Sequence, residues 1–156
     1  MWLKKQARIN GDKDFINGLS FKAVYDQVEV YAGSLAASLG EAKRVAIWAH
    51  NSATMAMVLL ALLRIRKEVV FLNVHLRPQE VLRQTQELAI DCLLLADDMI
   101  DSWQESGLCA PFEVLTIAEI LGAEPIDLPA PADPLDQDIA VIMNTSATTG
   151  KFKSVP

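Results

Sequence analysis

Residues 44–73 read RVAIWAHNSATMAMVLLALLRIRKEVVFLN, and this stretch decides the fold class. Arg44 to Ala49 is a short run of strand type, apolar at successive positions, as in a strand buried on both faces. His50-Asn51-Ser52 interrupts it, and Asn51 or Ser52 can cap a helix over 52–66. From Thr54 to Leu63 that helix is apolar nearly all round, which implies burial on more than one side. Val69-Val70-Phe71-Leu72 is a second buried strand. Two such strands joined through a helix form a β-α-β unit of a parallel sheet covered on both faces.

The pattern continues in both directions. Upstream, residues 2–8 predict a short helix with Trp2 and Leu3 as its apolar contacts. A short strand at 14–17 ends in the turn dipeptide Asn17-Gly18. Ser20 caps a helix in which Phe21, Val24, Tyr25, Val28, Ala32, Leu35 and Leu39 recur at helical spacing, with Gly40 at its stop. Gly33 inside that helix costs about 1 kcal/mol against alanine, so close packing is expected there. Downstream, Pro78 opens a helix to Ala89 with Val81, Leu82, Thr85 and Leu88 inward. Cys92–Ala96 is a strand, 98–106 a short helix, Glu113–Thr116 a short strand and Ile117–Leu121 a helical turn. Glu124–Asp136 holds four of the seven prolines and reads as an ordered, irregular linker. Asp138–Met143 is a fifth clear strand. The expected fold is α/β, with a layered, mainly parallel sheet flanked by helices. The expected division is an α/β subdomain over 1–123, a linker over 124–137, and a strand with a loop over 138–156.

Composition narrows the function classes. A chain of 156 residues, 51% apolar and 22% charged, has enough core for one compact domain. Its longest apolar run, Met55–Leu63, is nine residues, about half of what a bilayer-crossing helix needs. The opening residues lack the apolar stretch of a secretory signal. Cys92 and Cys109 form no CxxC pair, which disfavours a disulfide scaffold or zinc site and makes a reducing cytoplasm the expected compartment. The net charge is −6, but residues 1–83 carry twelve Lys/Arg against seven Asp/Glu, whereas 84–150 carry thirteen Asp/Glu and no base. Such an acidic stretch repels phosphate backbones, so no nucleic-acid partner is expected.

Chemistry concentrates after the fifth strand. Thr145-Ser146-Ala147-Thr148-Thr149-Gly150-Lys151 packs four hydroxyls, a glycine and an ammonium into seven residues. Hydroxyls and backbone N–H groups donate to phosphate oxygens, Gly150 permits a tight turn, and Lys151 adds a point charge. A threonine-rich surface loop is the plain alternative. The loop is not a Walker A motif: Thr145 stands where its first glycine belongs, and Phe152 where Ser or Thr must follow the lysine.

The stretch Ile142-Met-Asn-Thr-Ser-Ala-Thr-Thr-Gly-Lys-Phe-Lys-Ser-Val155 resembles the signature T-S-G-T-T-G-K-P-K-G-V of the adenylate-forming enzymes. That superfamily comprises acyl- and aryl-CoA ligases, peptide-synthetase adenylation domains and luciferases. Ala147 and Ser154 replace its glycines, and Phe152 its proline. The resemblance extends along the chain. Trp2-Leu3-Lys4-Lys5-Gln6-Ala7 looks like the W-L-x-x-R-A opening of the o-succinylbenzoate–CoA ligase branch. Leu19-Ser20-Phe21 is similar to T-F-x-E-L, and Arg44–Asn51 to G-D-R-V-A-x-x-x-x-N. Val70–Leu76 resembles V-L-L-N-T-R-L, with His75 in the arginine position.

This resemblance implies the N-terminal part of an AMP-forming acid–CoA ligase of menaquinone biosynthesis. The parent enzyme would activate a small carboxylate, o-succinylbenzoate, with ATP and Mg2+, and pass the acyl group to coenzyme A. Thr145, Ser146, Ala147, Thr148, Thr149, Gly150, Lys151 and Lys153 would hold the outer phosphates, with no covalent role. The magnesium-binding glutamate and the catalytic lysine are expected beyond Pro156. Residues 1–156 alone are therefore not expected to form the thioester, and self-association through exposed apolar surface is expected. Two alternatives are another branch, activating fatty, aryl or amino acids, and a non-catalytic module of flavodoxin-like layout with a relict loop. Outside the loop, His50 and His75 read as capping or surface residues without an acidic partner nearby in sequence. Asn73 reads as a turn-former. Asp97, Asp98 and Asp101 read as a solvated helix start.

Overall fold

The computed structural model describes residues 2–130, 140–145 and 153–155. The chain begins with α1 (Trp2–Ile9) and the hairpin β1 (Asp14–Ile16) and β2 (Leu19–Ser20). Asn17 and Gly18 both take positive φ, 48° and 80°, as the tight turn of a twisted hairpin requires. Ser20 then has two roles: it pairs with Asp14, and its Oγ accepts from Ala23 N–H to cap α2 (Phe21–Leu39). Next come β3 (Arg44–Trp48), α3 (Ala53–Arg64), β4 (Glu68–Phe71), α4 (Pro78–Glu87), β5 (Cys92–Leu95), α5 (Asp97–Glu105), β6 (Glu113–Thr116) and α6 (Ile117–Gly122). Of the two candidate caps, Ser52 is the one that starts α3, accepting from Met55 N–H.

The main sheet runs β6-β5-β3-β4-β7-β8, where β7 is Val141–Thr145 and β8 is Lys153–Val155. The first five strands are mutually parallel, and β8 is antiparallel to β7. Alternation within each strand divides the core into two layers. Val45, Ile47, Val69, Cys92 and Leu94 meet buried residues of α1, α2, α3 and α6. Ala46, Trp48, Val70, Leu93, Leu95 and Ile142 meet those of α4 and α5. Trp48 and Trp103 pack edge to face there, with ring centres 6.5 Å apart. Cys92 is fully buried, and burial pushes its thiol up to about 12, so it is a core residue with no nucleophilic character.

Two boundaries differ from the sequence reading. The fifth strand, expected over 138–143, occupies Val141–Thr145; Ala140 precedes it, and 131–139 lie outside the described residues. Its register explains the shift: Val141 pairs with Val69 and Met143 with Phe71. The polar Asn144 and Thr145 extend it because they pair with Ser154 and Lys153. The strand β8, three residues on the sheet edge, was not expected at all.

The described part of the linker is fastened across the helices. Ser34 Oγ donates to Ala123 O at 2.9 Å. A Cβ on Gly33 would meet Ile126 O at 2.6 Å, which is the close packing its sequence context demanded. Arg64, buried at the end of α3, donates to Glu29 of α2 and to Pro129 O at 2.7 Å.

Candidate functional site

Five parallel strands point their carboxyl ends to one edge of the sheet, the edge where α/β folds bind ligands. β7 extends past the last residue of β4, since Phe71 is level with Met143 and two residues follow. The polar loop thus starts beyond that edge. β8 returns antiparallel and sets Lys153 opposite Thr145. Those two sequence-predicted residues are brought together at the base of a hairpin. Ser146, Ala147, Thr148, Thr149, Gly150 and Lys151 lie outside the described residues.

The neighbouring strand ends are held by specific bonds. After β4, Asn73 makes the expected turn: its Oδ1 accepts from His75 N–H at 2.9 Å, and its carbonyl from Leu76 N–H. Trp48 Nε1 donates to the same carbonyl at 3.2 Å, tying the end of β3 to this connection. His75 is exposed beside it. Glu80 accepts from Arg77 N–H and fixes the start of α4.

The chain leaves β3 toward β4 and leaves β5 toward β6, in opposite directions, so the topological switch point lies between the carboxyl ends of β3 and β5. His50 and Asp98 bridge it, with Nδ1 and Oδ2 2.6 Å apart. The sequence shows no acidic partner near His50, and the structure supplies one 48 residues away, adjacent only through the β3–β5 pairing. Both side chains are more than half exposed, so the contact is a surface link. Among the described residues no group of three or more His, Cys, Asp or Glu could hold a metal ion.

The opposite, amino edge carries a structural network. Asp91 accepts from the backbone N–H groups of Lys43 and Arg44, each at 2.8 Å. These bonds, Arg44 N–H first, hold its carboxyl below the usual range despite partial burial. Glu68 is buried between Lys43 and Arg44. This network and the pairing of Thr145 with Lys153 therefore lie at opposite edges of the sheet.

A layered, mainly parallel sheet with an antiparallel strand at its edge defines an α/β protein of the doubly covered class, and the family model names it more closely. The chain belongs to the AMP-binding enzyme family, whose model matches residues 3–156. It is 42% identical over 155 residues to the 2-succinylbenzoate–CoA ligase of Lactococcus lactis, which spans 99% of this chain and 33% of that protein. The corresponding ligase of Enterococcus faecalis is 26% identical over 159 residues, 99% of this chain and 32% of its own length. The chain thus spans about a third of the length of the curated relatives it matches. The fold is shared with the O-succinylbenzoate coenzyme A synthetase of Bacillus subtilis in complex with ATP and magnesium. That likeness has a TM-score of 0.81 at 22% identity, over 99% of this chain and 42% of the other. It is shared also with the N-terminal domain of FACL13 from Mycobacterium tuberculosis, at TM-score 0.82 and 21% identity, over 98% and 42%.

Proposed function

We propose that this chain supplies the outer-phosphate site of an AMP-forming acid–CoA ligase acting on o-succinylbenzoate. The observation that supports the reading is the antiparallel pairing of β7 with β8, which sets Thr145 opposite Lys153 past the carboxyl end of β4. Whole-chain identity of 42% to a 2-succinylbenzoate–CoA ligase supports the substrate. In this reading 1–123 is the α/β subdomain, 124–137 the linker, and 138–156 the strand with its phosphate loop.

The chemistry sets what the loop must do. A substrate carboxylate oxygen attacks the α-phosphorus of ATP, an acyl-adenylate forms, and the bond to pyrophosphate breaks. The coenzyme A thiol then attacks the acyl carbon, and AMP leaves. Charge accumulates on the departing pyrophosphate. Thr145, Ser146, Thr148 and Thr149 would donate to its oxygens, Ala147 and Gly150 through backbone N–H groups, and Lys151 and Lys153 as cations. The magnesium ion arrives with ATP as part of the substrate, and the loop's donors suit its phosphates. A reducing cytoplasm fits the two free cysteines, Cys92 and Cys109.

Titration of the chain with magnesium pyrophosphate tests the loop. Lys151→Ala is expected to weaken binding roughly 30-fold, the value of a charge-assisted hydrogen bond of about 2 kcal/mol. Unchanged affinity in the variant counts against the reading. The glycine replacements Ala147 and Ser154 favour a second reading, a non-catalytic module, in which neither protein binds pyrophosphate. The proposal also includes self-association through apolar surface such as Met143, 61% exposed on β7. Light scattering that finds only monomer at high concentration would remove that part.

A further inference from the structure

Exposed apolar side chains and positive charge share a single short element, α1. On α1, Trp2, Lys5 and Ile9 stand at i, i+3 and i+7, so they form one stripe along the helix. All three are exposed, Trp2 to 55% and Ile9 to 59%. Lys4 and Arg8, one helical turn apart, form a parallel exposed stripe beside it. Leu3 faces the other way and is fully buried. α1 has no acidic residue.

This surface is stiffened from below. The Trp2 ring meets Phe15 and Phe21 edge-on at 5.8 and 6.1 Å, and those two rings stack at 4.3 Å. The hairpin presents Leu19, 39% exposed, and Lys13 is exposed just before β1 between two exposed acids, Asp12 and Asp14. Residues 2–20 carry four bases, Lys4, Lys5, Arg8 and Lys13, against two acids, Asp12 and Asp14, so the segment keeps a net positive charge.

We propose that α1 and the β1–β2 hairpin dock this protein on an anionic phospholipid surface. Separated apolar tips, each next to a base, fit the boundary between headgroups and acyl chains. A tryptophan ring prefers that boundary, and lysine and arginine meet the lipid phosphates. A soluble protein partner would instead favour a continuous apolar patch. No described helix is long and apolar enough to cross a membrane, so the contact is peripheral.

The test is co-sedimentation of the chain with vesicles of phosphatidylglycerol and phosphatidylcholine, compared with phosphatidylcholine alone, at low salt. Binding to the anionic vesicles only is expected. Lys4→Gln with Lys5→Gln should weaken it roughly 25-fold, about five-fold for each charge removed near the surface. Trp48 and Trp103 are buried, so quenching by brominated lipid reads Trp2. Trp2→Phe should keep sedimentation and lose the quenching. Circular dichroism of each variant checks folding. The proposal is overturned if anionic vesicles leave the folded chain in solution, or if the lysine variant sediments like the parent. Retention on heparin without vesicle binding likewise overturns it and assigns the surface to a soluble polyanion.

Discussion

Replacing Gly33 by alanine is expected to destabilise the chain by about 2 kcal/mol, read from the midpoint of urea unfolding. Overpacking against a fixed neighbour costs about 3 kcal/mol, and the better helix propensity of alanine returns about 1. The added Cβ would lie 2.6 Å from Ile126 O, 2.9 Å from Pro125 Cβ and 3.2 Å from Ile126 N. Two of these are backbone atoms, which no rotamer change can move. The linker must lift from α2, yet it is held on both sides, by Ser34 at Ala123 and by Arg64 at Pro129. Valine at the same position should cost more, since its branches add volume in the same gap. Ser34→Ala removes one hydrogen bond without crowding and should cost about 1 kcal/mol. A Gly33→Ala protein as stable as the parent would mean that the linker does not rest on α2 in solution.

Gly33 also shows what the sequence made legible. A glycine in the middle of a strong helical pattern has a local cost, and so predicts a close neighbour, but nothing local names that neighbour as residues 125 and 126. The long elements followed from periodicity because each buries a continuous face: α2, α3, and the runs of β3, β4 and β5. The strand order did not, because it depends on pairings between distant segments. β3 lies between β4 and β5, and Asp98 reaches His50 only for that reason. Two short strands, β2 and β8, were missed for a different cause. Leu19–Ser20 is also a helix cap, and Lys153–Val155 is polar enough to pass for loop. Of the proposed phosphate loop only Thr145 and Lys153 lie among the described residues, and their pairing is a contact between strands that no local pattern announces.

Glu68→Gln is the second change with a large expected effect, and its consequence depends on pH. The Glu68 side chain is 7% exposed and lies at the start of β4. Its Oε2 accepts from Arg44 Nε at 2.7 Å, and Oε1 lies 3.0 Å from Lys43 Nζ. Arg44 also donates to Leu88 O at 2.6 Å, so one carboxylate ties β3 and β4 to the end of α4. Burial by itself pushes the Glu68 carboxyl up, but the bonds from Lys43 and Arg44 outweigh it, and the net shift is below the ordinary 4.5. A lowered value in the folded state means that the stabilisation is complete above pH 4.5 and is lost as pH falls through the folded value. At pH 7 the glutamine variant should be less stable by about 2 kcal/mol, because a half-buried guanidinium loses its counter-charge. Its stability should also fall less steeply than the parent's on acidification below pH 4.5, where the parent loses the same interaction. Lys43→Met provides the contrast: the lysine is 76% exposed, and its removal should cost under about 1 kcal/mol. Equal losses from the two variants, or parallel acid profiles for parent and Glu68→Gln, would show that the Arg44 pairing does not hold this edge of the sheet.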